Sequence, residues 1–363
     1  VKNGSDFFSF FLPRNDVIYY RPLGMQIPFF LNYTLFGLNP LPFRIATLLV
    51  HLCNGVLIYL LLDKFLNDRK LSLLGSFLYL TSATHIIVFY WAATFAFVLA
   101  PFFYFGSLLL FIKLKKLLSF ILFCVGLFAN ELVITFPAVI LLLHVFRFRK
   151  TDIKTICVFW TPTLACIFFR LTIATFPAEG GYMALTGIHQ FVLNIRNYIL
   201  WTFNWPDEIT NQFVSFLQLN TAFIREFFVH VVIYITNTLL WVLLLIILPL
   251  WLLLKKQLLF KNLAVYGFAC LWFLITLAPV LYFSAHYFSY YLPIPFFGFI
   301  LAATGTLKIL QERLKQKGRM FSAVILGIGL IWYVSAWKTS SFDLFVHWAP
   351  RRANLARTVS EAL

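Results

Sequence analysis

Ten apolar runs divide this chain, and short polar segments separate them. The runs cover residues 44–65, 71–91, 95–112, 117–129, 131–147, 154–175, 229–254, 260–282, 290–308 and 320–338. Most are continuous, as in LLWVLLLIILPLWLLL, and are close to the roughly 20 residues that a helix needs to cross a bilayer. A transmembrane β-barrel would instead show segments of about 10 residues with alternating polarity. The pattern predicts an all-α, polytopic membrane protein with about ten transmembrane helices.

Lys and Arg are concentrated in every second segment between these runs. The basic segments are DKFLNDRK, KLKK, RFRKTDIK, KKQLLFK and KILQERLKQKGR. The remaining segments are longer or, apart from the C-terminal tail, poorer in Lys and Arg. Because basic loops stay in the cytoplasm, we expect both ends of the chain to face outward. The same alternation requires residues 117–147 to form two short helices with an outer turn at Asn130–Glu131.

Composition narrows the class of protein further. The chain is 61% hydrophobic and 12% charged, with a mean hydropathy of +0.87, which excludes an ordinary soluble domain. The net charge of +16 is explained by membrane topology, so we expect no nucleic-acid partner. The five cysteines are scattered within apolar runs without a CxxC pair, which is typical of small buried hydrophobic residues. A weakly amphipathic stretch, HQFVLNIRNYILWTFNW, predicts a helix at the membrane interface.

Ionisable residues outside the basic segments cluster near the predicted outer helix ends. They are Asp6, Asp16, Arg21, Arg44, His85, Glu131, Arg170, Glu179, His189, Arg196 and His286. A transporter would be expected to place such groups near the membrane midplane. An outward position suits a membrane-lipid substrate with a polar head. Arg44 and Arg170 can equally extend to the interface or bind lipid phosphates, and Glu179, beside a Gly pair, fits an ordinary loop.

Several segments resemble the C-type (GT-C) membrane glycosyltransferases, especially the TPR-containing O-mannosyltransferases and their bacterial relatives. The similar segments are YYRPL, FGLNP, HLCN, SATHIIVFYWAATFAFVLAPFF, ANELVITFPAVILLLH and LAPVLYFSAHYFSYYLPIPFFGFILA. The resemblance lies in the order and spacing of these segments, and it extends from about Tyr19 to Pro295. The resemblance implies a GT-C-like domain over residues 1–338 and a short outward tail over 339–363. It also implies a first transmembrane helix upstream of Val1.

The resemblance implies transfer of a sugar from a polyprenyl-phosphate donor to a protein or glycan acceptor. The reaction would take place at the outer face of a bacterial cytoplasmic membrane. It needs a carboxylate base for the acceptor and donors that stabilise the phosphate leaving group. The catalytic candidates are Asp16 and Glu131, and we expect Glu131 to pair with Arg21 or His85, because an unpaired buried charge is costly. The substrate-binding candidates are Tyr20, Arg21, His85, His286, Tyr287 and Tyr290. No metal ligands are assigned, and the need for a divalent cation stays open.

Three candidates and the chain as a whole have other interpretations. Asp16 follows later in its loop than the family's catalytic carboxylate and can equally be a solvated Asp. The relatives' acid after His85 is missing from TFAFVLAPF, so His85 can equally be an interfacial histidine. Glu131 can equally cap the helix that it begins, where the helix dipole favours a carboxylate. The chain itself can be a non-catalytic protein, such as a lipid-linked glycan transporter or a degenerate relative.

The charge pattern generates a topology prediction. Reporter fusions in the five basic segments should all report the cytoplasm, whereas a fusion at Gly180 should report the opposite side. The sites for the cytoplasmic fusions are Asp68, Lys115, Lys150, Lys256 and Gln316. If Lys115 and Lys150 report opposite sides, residues 117–147 cross the membrane once, and the position inferred for Glu131 is wrong.

Overall fold

The computed structural model describes residues 6–12, 20–148, 152–172, 187–255, 260–284, 286–313 and 318–347. Helices dominate this part of the chain, which contains no β-strand; an isolated bridge joins Phe213 and Leu219. The main helices are α1 Ile27–Phe36, α2 Leu41–Leu66, α3 Arg69–Leu80, α4 Ala83–Tyr90, α5 Ala96–Ile112, α6 Lys116–Leu127, α7 Glu131–Phe146, α8 Ile153–Thr172, α9 Ile188–Thr202, α10 Phe228–Leu254, α11 Phe260–Leu281, α12 Phe296–Arg313 and α13 Gly318–Val346.

Each of the ten apolar runs falls on one or more of these helices. Six helices in the described ranges are long and apolar enough to cross a membrane, and a bent pair, α3 with α4, would make a seventh. The structure therefore confirms a helical, multi-pass membrane protein, whereas the count of ten spans stays a prediction. Residues 173–175, at the end of the sixth run, lie outside the described residues.

The single helix expected over 71–91 is bent by 45° between α3 and α4. Ser82 adopts an extended backbone there, and its hydroxyl accepts a hydrogen bond from the Thr84 backbone N–H. Such a local cap competes with continuation of the helix. The apolar pattern carries no sign of this break, because it continues through both helices.

Two other boundaries differ from the predicted ones. α12 begins at Phe296, six residues later than expected, because the short 3₁₀ turn Ser289–Tyr291 precedes it. α13 continues to Val346, so residues 339–346, which were assigned to the tail, belong to this helix. Residues 348–363 lie outside the described part of the chain.

The core is built around α12, whose side chains are almost all buried from Phe296 to Leu307. Gly298 allows α11 to approach closely, because a Cβ at this position would lie 2.5 Å from the Ala269 carbonyl oxygen. Small residues at helix contacts are the usual means of close packing in membranes. The buried Trp272 on α11 satisfies its indole N–H by donating to the Ile294 carbonyl, at 2.9 Å.

Several contacts gather basic turns at one end of the bundle. Lys116, at the start of α6, lies 2.7 Å from the Asp152 carboxylate, just before α8. Lys308, near the end of α12, donates to the Leu66 carbonyl at the end of α2. The rings of Phe65, at the end of α2, and Phe146, at the end of α7, both contact the ring of Phe268. The turns after α2, after α5 and before α8 therefore share this end, as the alternation of charge requires.

The opposite end, called here the Glu131 end, contains the turn between α6 and α7 and other described connecting segments. The Leu23 backbone N–H donates to the Phe128 carbonyl at 3.0 Å, which holds the segment before α1 against this turn. The Asn204 side-chain oxygen accepts from the Ala83 N–H, also at 3.0 Å, and ties the segment after α9 to the break between α3 and α4. The predicted division of 117–147 into two short helices is confirmed.

The backbone of Gly24 lies so close to that of Ala129 that a side chain at position 24 should destabilise the protein. A Cβ at Gly24 would lie 2.1 Å from the Ala129 carbonyl oxygen, and a backbone atom cannot move aside cheaply. Gly24→Ala should therefore lower the free energy of unfolding by about 1–3 kcal/mol, the usual cost of overpacking, measured by thermal unfolding in detergent. Gly327→Ala is the matched control, because nothing lies within 4 Å of its added Cβ. Equal Tm values for the two variants would contradict the close approach.

Candidate functional site

The Glu131 carboxylate and the Arg21 guanidinium form a two-point ion pair at the Glu131 end. Arg21 Nε donates to Glu131 Oε2 at 2.8 Å, and a second guanidinium nitrogen bonds the other carboxylate oxygen. The Arg21 side chain is 6% exposed and that of Glu131 28%, so solvent reaches the pair from the carboxylate side. This partnership, one of two expected for Glu131, is confirmed. It explains how an apolar segment tolerates a carboxylate, since an unpaired charge would be costly there.

Local backbone structure positions Arg21 above Glu131. Arg21 precedes a π-helical turn, Pro22–Gln26, and its carbonyl accepts from the Met25 N–H at 2.8 Å. The turn rests on the α6–α7 connection through the Leu23 hydrogen bond and the close approach at Gly24. The guanidinium is therefore fixed by the backbone on one side and by Glu131 on the other.

A second guanidinium, that of Arg170 near the end of α8, completes the charged group. Its Nη2 lies 3.4 Å from Glu131 Oε2 and donates to the Tyr20 carbonyl at 3.1 Å. Its Nε is buried and has no hydrogen-bond partner in the described structure. Arg170 therefore turns into the site rather than simply extending to the membrane interface. The reason is that Glu131 and the Tyr20 carbonyl offer it two acceptors inside the protein.

The N-cap position belongs to Asn130, the neighbour of Glu131. Asn130 holds the N-cap position of the first turn, in an extended conformation, and its side-chain oxygen accepts from the Leu132 N–H at 2.9 Å. Asn is among the best capping residues. Glu131 lies in the first turn, where the helix dipole favours a carboxylate, and its oxygens bind the two guanidinium groups.

Aromatic side chains connect Arg21 to the late loop between α11 and α12. Arg21 Cζ lies 5.0 Å from the centre of the Phe97 ring, which lies 4.7 Å from the Tyr290 ring. The Tyr290 hydroxyl lies 3.3 Å from His286 Nε2. The structure thus brings together three of the candidates from distant segments, Arg21, His286 and Tyr290.

Two further candidates lie elsewhere. Tyr287 stacks on Trp201 of α9, with ring centres 6.3 Å apart. His85 is 2% exposed and packs against His51 and Tyr79, at 4.7 and 4.6 Å between ring centres. The break between α3 and α4 turns His85 into the bundle, so it is neither interfacial nor a partner of Glu131.

The two candidates at the start of the chain are placed differently. Tyr20 lies at the site, where its backbone carbonyl accepts a hydrogen bond from Arg170. Its side-chain hydroxyl instead donates to the Phe11 carbonyl, at 2.8 Å. Its ring lies 4.9 Å from that of Phe169. Asp16 lies outside the described residues.

The electrostatics of the site favour an anion. Burial would raise the pKa of the Glu131 carboxyl, but the Arg21 and Arg170 charges outweigh burial and lower it to about 2. Burial and the Arg21 charge lower the pKa of His286 to about 4, although Glu131 acts in the opposite direction. At neutral pH the described group therefore has two guanidinium charges, one carboxylate and a neutral histidine. One positive charge remains in excess.

Asp207, a residue that no sequence pattern indicated, supports the late loop between α11 and α12. Asp207 Oδ1 accepts from the backbone N–H of Ser289 at 3.1 Å, and Oδ2 lies 3.5 Å from His347 Nε2. Ser289 begins the 3₁₀ turn that contains Tyr290. Asp207 thereby anchors the turn, yet its only sequence signal is an acidic residue after Trp-Pro in a long connection.

Among the described residues, no group of three or more His, Cys, Asp and Glu side chains is arranged to hold a metal ion. In comparisons with protein-family models, curated proteins and solved structures, the chain matches none of them. The fold and the site together define a multi-pass helical membrane protein with an ion-paired, positively charged cluster at one end.

The ion pair generates a stability prediction. Glu131→Gln keeps the side-chain shape but leaves the buried Arg21 charge without its main partner. It should cost roughly 2 kcal/mol, less than the roughly 3–5 kcal/mol of fully buried pairs because Glu131 is partly exposed. Thermal unfolding in detergent at pH 7 measures the loss. Glu312→Gln is the control, because Glu312 is exposed and lies on α12 near the opposite end.

The same pair should give a specific pH dependence. The folded-state pKa of Glu131, about 2, lies below the roughly 4.3 of an unfolded Glu. The stabilisation is therefore complete above about pH 4.3 and is lost as the pH falls toward 2. The Tm difference between wild type and Glu131→Gln should be constant from pH 7 to 5 and shrink below pH 4.3. A difference that stays unchanged to pH 3, or is zero throughout, would contradict the ion pair.

Proposed function

We propose that this chain is a membrane glycosyltransferase that uses a polyprenyl-phosphate-linked sugar as donor. The observation that carries the proposal is the cluster in which two guanidinium groups, of Arg21 and Arg170, meet at the Glu131 carboxylate. A phosphate is the group on the donor that such a cluster would bind. The acceptor would be a protein or a glycan.

The geometry of the cluster suits a phosphate leaving group. Arg21 is held in place by Glu131, so little reorganisation is needed when negative charge develops on the phosphate. Arg170 offers its buried Nε, which donates no hydrogen bond to a described residue. His286 and Tyr290 lie beside the cluster and supply further polar atoms.

Glu131 has an orienting role in this proposal. A carboxylate with a pKa of about 2 is a weak base for an acceptor hydroxyl, because an effective catalytic base has a pKa nearer the working pH. It instead fixes the angle of Arg21 and separates two guanidinium groups that would otherwise repel each other. Asp16, a catalytic candidate that comes later in its loop than the carboxylate of the GT-C family, stays a prediction.

The proposal places the cluster at the outer face of a bacterial cytoplasmic membrane. Support comes from the arrangement of the turns, because basic segments flank helix ends opposite the Glu131 end. A lipid-linked donor would then enter from the outer leaflet, with its phosphate at the depth of the short α6–α7 hairpin.

A non-catalytic function is favoured by one observation. The carboxylate found at the described site is strongly acidic and already paired with two guanidinium groups. A lipid-linked glycan transporter or a degenerate relative would use the same cluster to bind a lipid phosphate without transferring the sugar. Turnover of a labelled donor distinguishes this alternative from the transferase.

Arg21→Lys tests the binding role. Lys keeps the charge but loses the planar fork that bonds both carboxylate oxygens. Binding of a polyprenyl-phosphate sugar should weaken by roughly 1–3 kcal/mol, the range for charge-assisted hydrogen bonds, as measured with a fluorescent donor in nanodiscs. Arg69→Lys, at the basic end of the bundle, should bind as wild type does. Equal donor affinity in Arg21→Lys and wild type would remove the cluster as the phosphate site.

Glu131→Gln tests the functional importance of the orienting carboxylate. Transfer should fall at least tenfold, because Arg21 loses its fixed direction. The assay uses protein expressed from its own genomic locus and is normalised to the amount in the membrane. Near-wild-type transfer by the Gln variant would reject the orienting role. Donor binding without turnover in the wild type would favour the non-catalytic alternative.

A further inference from the structure

A separate groove lies where α1, the start of α2 and the end of α4 meet. Its volume is about 350 Å³. Its lining residues are Phe29, Asn32, Tyr33, Gly37, Leu38, Pro40, Phe43, Arg44, Thr47, Val88, Phe89, Tyr90 and Ala92. None of them belongs to the cluster of Arg21, Glu131 and Arg170, so the groove is not part of the site described above.

The groove contains one strong charge, that of Arg44 in the first turn of α2. Arg44 is exposed, and the lining contains no carboxylate that would neutralise it. No described residue forms an ion pair with its guanidinium. The amide of Asn32 and the hydroxyls of Tyr33 and Tyr90 are further polar groups in the lining. This part of the groove therefore suits an anion, and the positive end of the α2 dipole adds to the attraction.

The rest of the groove and the adjoining surface are apolar. Phe43, Val88 and Phe89 supply buried or half-buried apolar lining. Further along α2, apolar side chains are exposed: Ile45, Leu48, Leu49, Leu52 and Val56. Because α2 is long and apolar enough to cross the membrane, this face meets lipid chains. The surface thus changes from cationic to apolar along the direction of the membrane normal.

We propose that this groove binds a membrane phospholipid, with its phosphate on Arg44 and one acyl chain along the exposed face of α2. The order of charged, polar and apolar surface matches the order of groups in such a lipid. A soluble anion would use only the Arg44 end, and a soluble peptide would not reach apolar surface at membrane depth. Interfacial Arg residues that bind lipid phosphates follow the same physical logic.

The test uses the whole purified protein, delipidated in detergent and titrated with dioleoylphosphatidylglycerol while its Tm is recorded. Wild type should gain several degrees of Tm, whereas dioleoylglycerol, which lacks the phosphate, should give at most a small shift. Arg44→Gln should raise the midpoint lipid concentration at least fivefold. The midpoint of Arg44→Lys should lie between those of wild type and Arg44→Gln, and the midpoint of Arg69→Gln should equal that of wild type.

A second variant tests the apolar part of the groove. Ala92→Phe places a ring in the groove without changing its charge, and it should also raise the midpoint concentration. Native mass spectrometry should find fewer retained phospholipids on both groove variants than on wild type. Arg44→Gln should bind the fluorescent polyprenyl-phosphate donor as wild type does, so this inference can fail or succeed independently of the proposed transferase.

Three results would overturn the inference. The first is an unchanged midpoint in both Arg44→Gln and Ala92→Phe. The second is a Tm gain from inorganic phosphate as large as that from the phospholipid, which would indicate a simple anion site. The third is stabilisation by undecaprenyl phosphate but not by the phospholipid, which would assign the groove to a polyprenyl lipid.

Discussion

The Glu131 end of this protein depends on pairing a carboxylate that an apolar environment does not tolerate alone. A single charged residue within a membrane segment costs roughly 3 kcal/mol even on insertion scales. Here the cost is offset by two guanidinium groups from segments far apart in sequence, Arg21 before α1 and Arg170 in α8. The pairing therefore holds three segments of the chain in contact with one another.

The turn of the short α6–α7 hairpin presents Glu131 to its two guanidinium partners. Because Asn130 caps the turn, Glu131 is free to face the guanidinium groups, and Gly24 lets the preceding segment lie directly on the turn. One carboxylate lies between two guanidinium groups. The proposed phosphate binding rests on this pair of cations, and in the same proposal Glu131 orients an arginine rather than accepting a proton.

Much of this arrangement could be predicted from the sequence. Continuous apolar runs located the helices, because the membrane selects for length and hydropathy. The alternation of basic segments divided residues 117–147 correctly, and it placed Arg21 and Glu131 at the same end, where pairing was the physical expectation. The break at Ser82 could not be seen, since it rests on one local hydrogen bond within an uninterrupted apolar run.

The contacts that side chains make with distant parts of the chain were harder to predict than local structure. The sequence around Arg170 is that of an ordinary interfacial arginine. Its inward direction depends on the position of α8 beside Tyr20, which the sequence does not indicate. Asp207 reaches Ser289 across 82 residues, and no periodicity connects them. His85 was misplaced for the same reason: its burial follows from the bend between α3 and α4, not from its neighbours in sequence.

The central claim is that Arg21 and Glu131 act as one unit, and a double-mutant cycle tests it most directly. Unfolding free energies would be measured in detergent for wild type, Arg21→Gln, Glu131→Gln and the double variant. The account predicts strong non-additivity, with a coupling energy of about 1–3 kcal/mol, the range for contacting residues in one network. The double variant should then be little worse than either single variant. Additive effects, with a coupling energy near zero, would contradict the account.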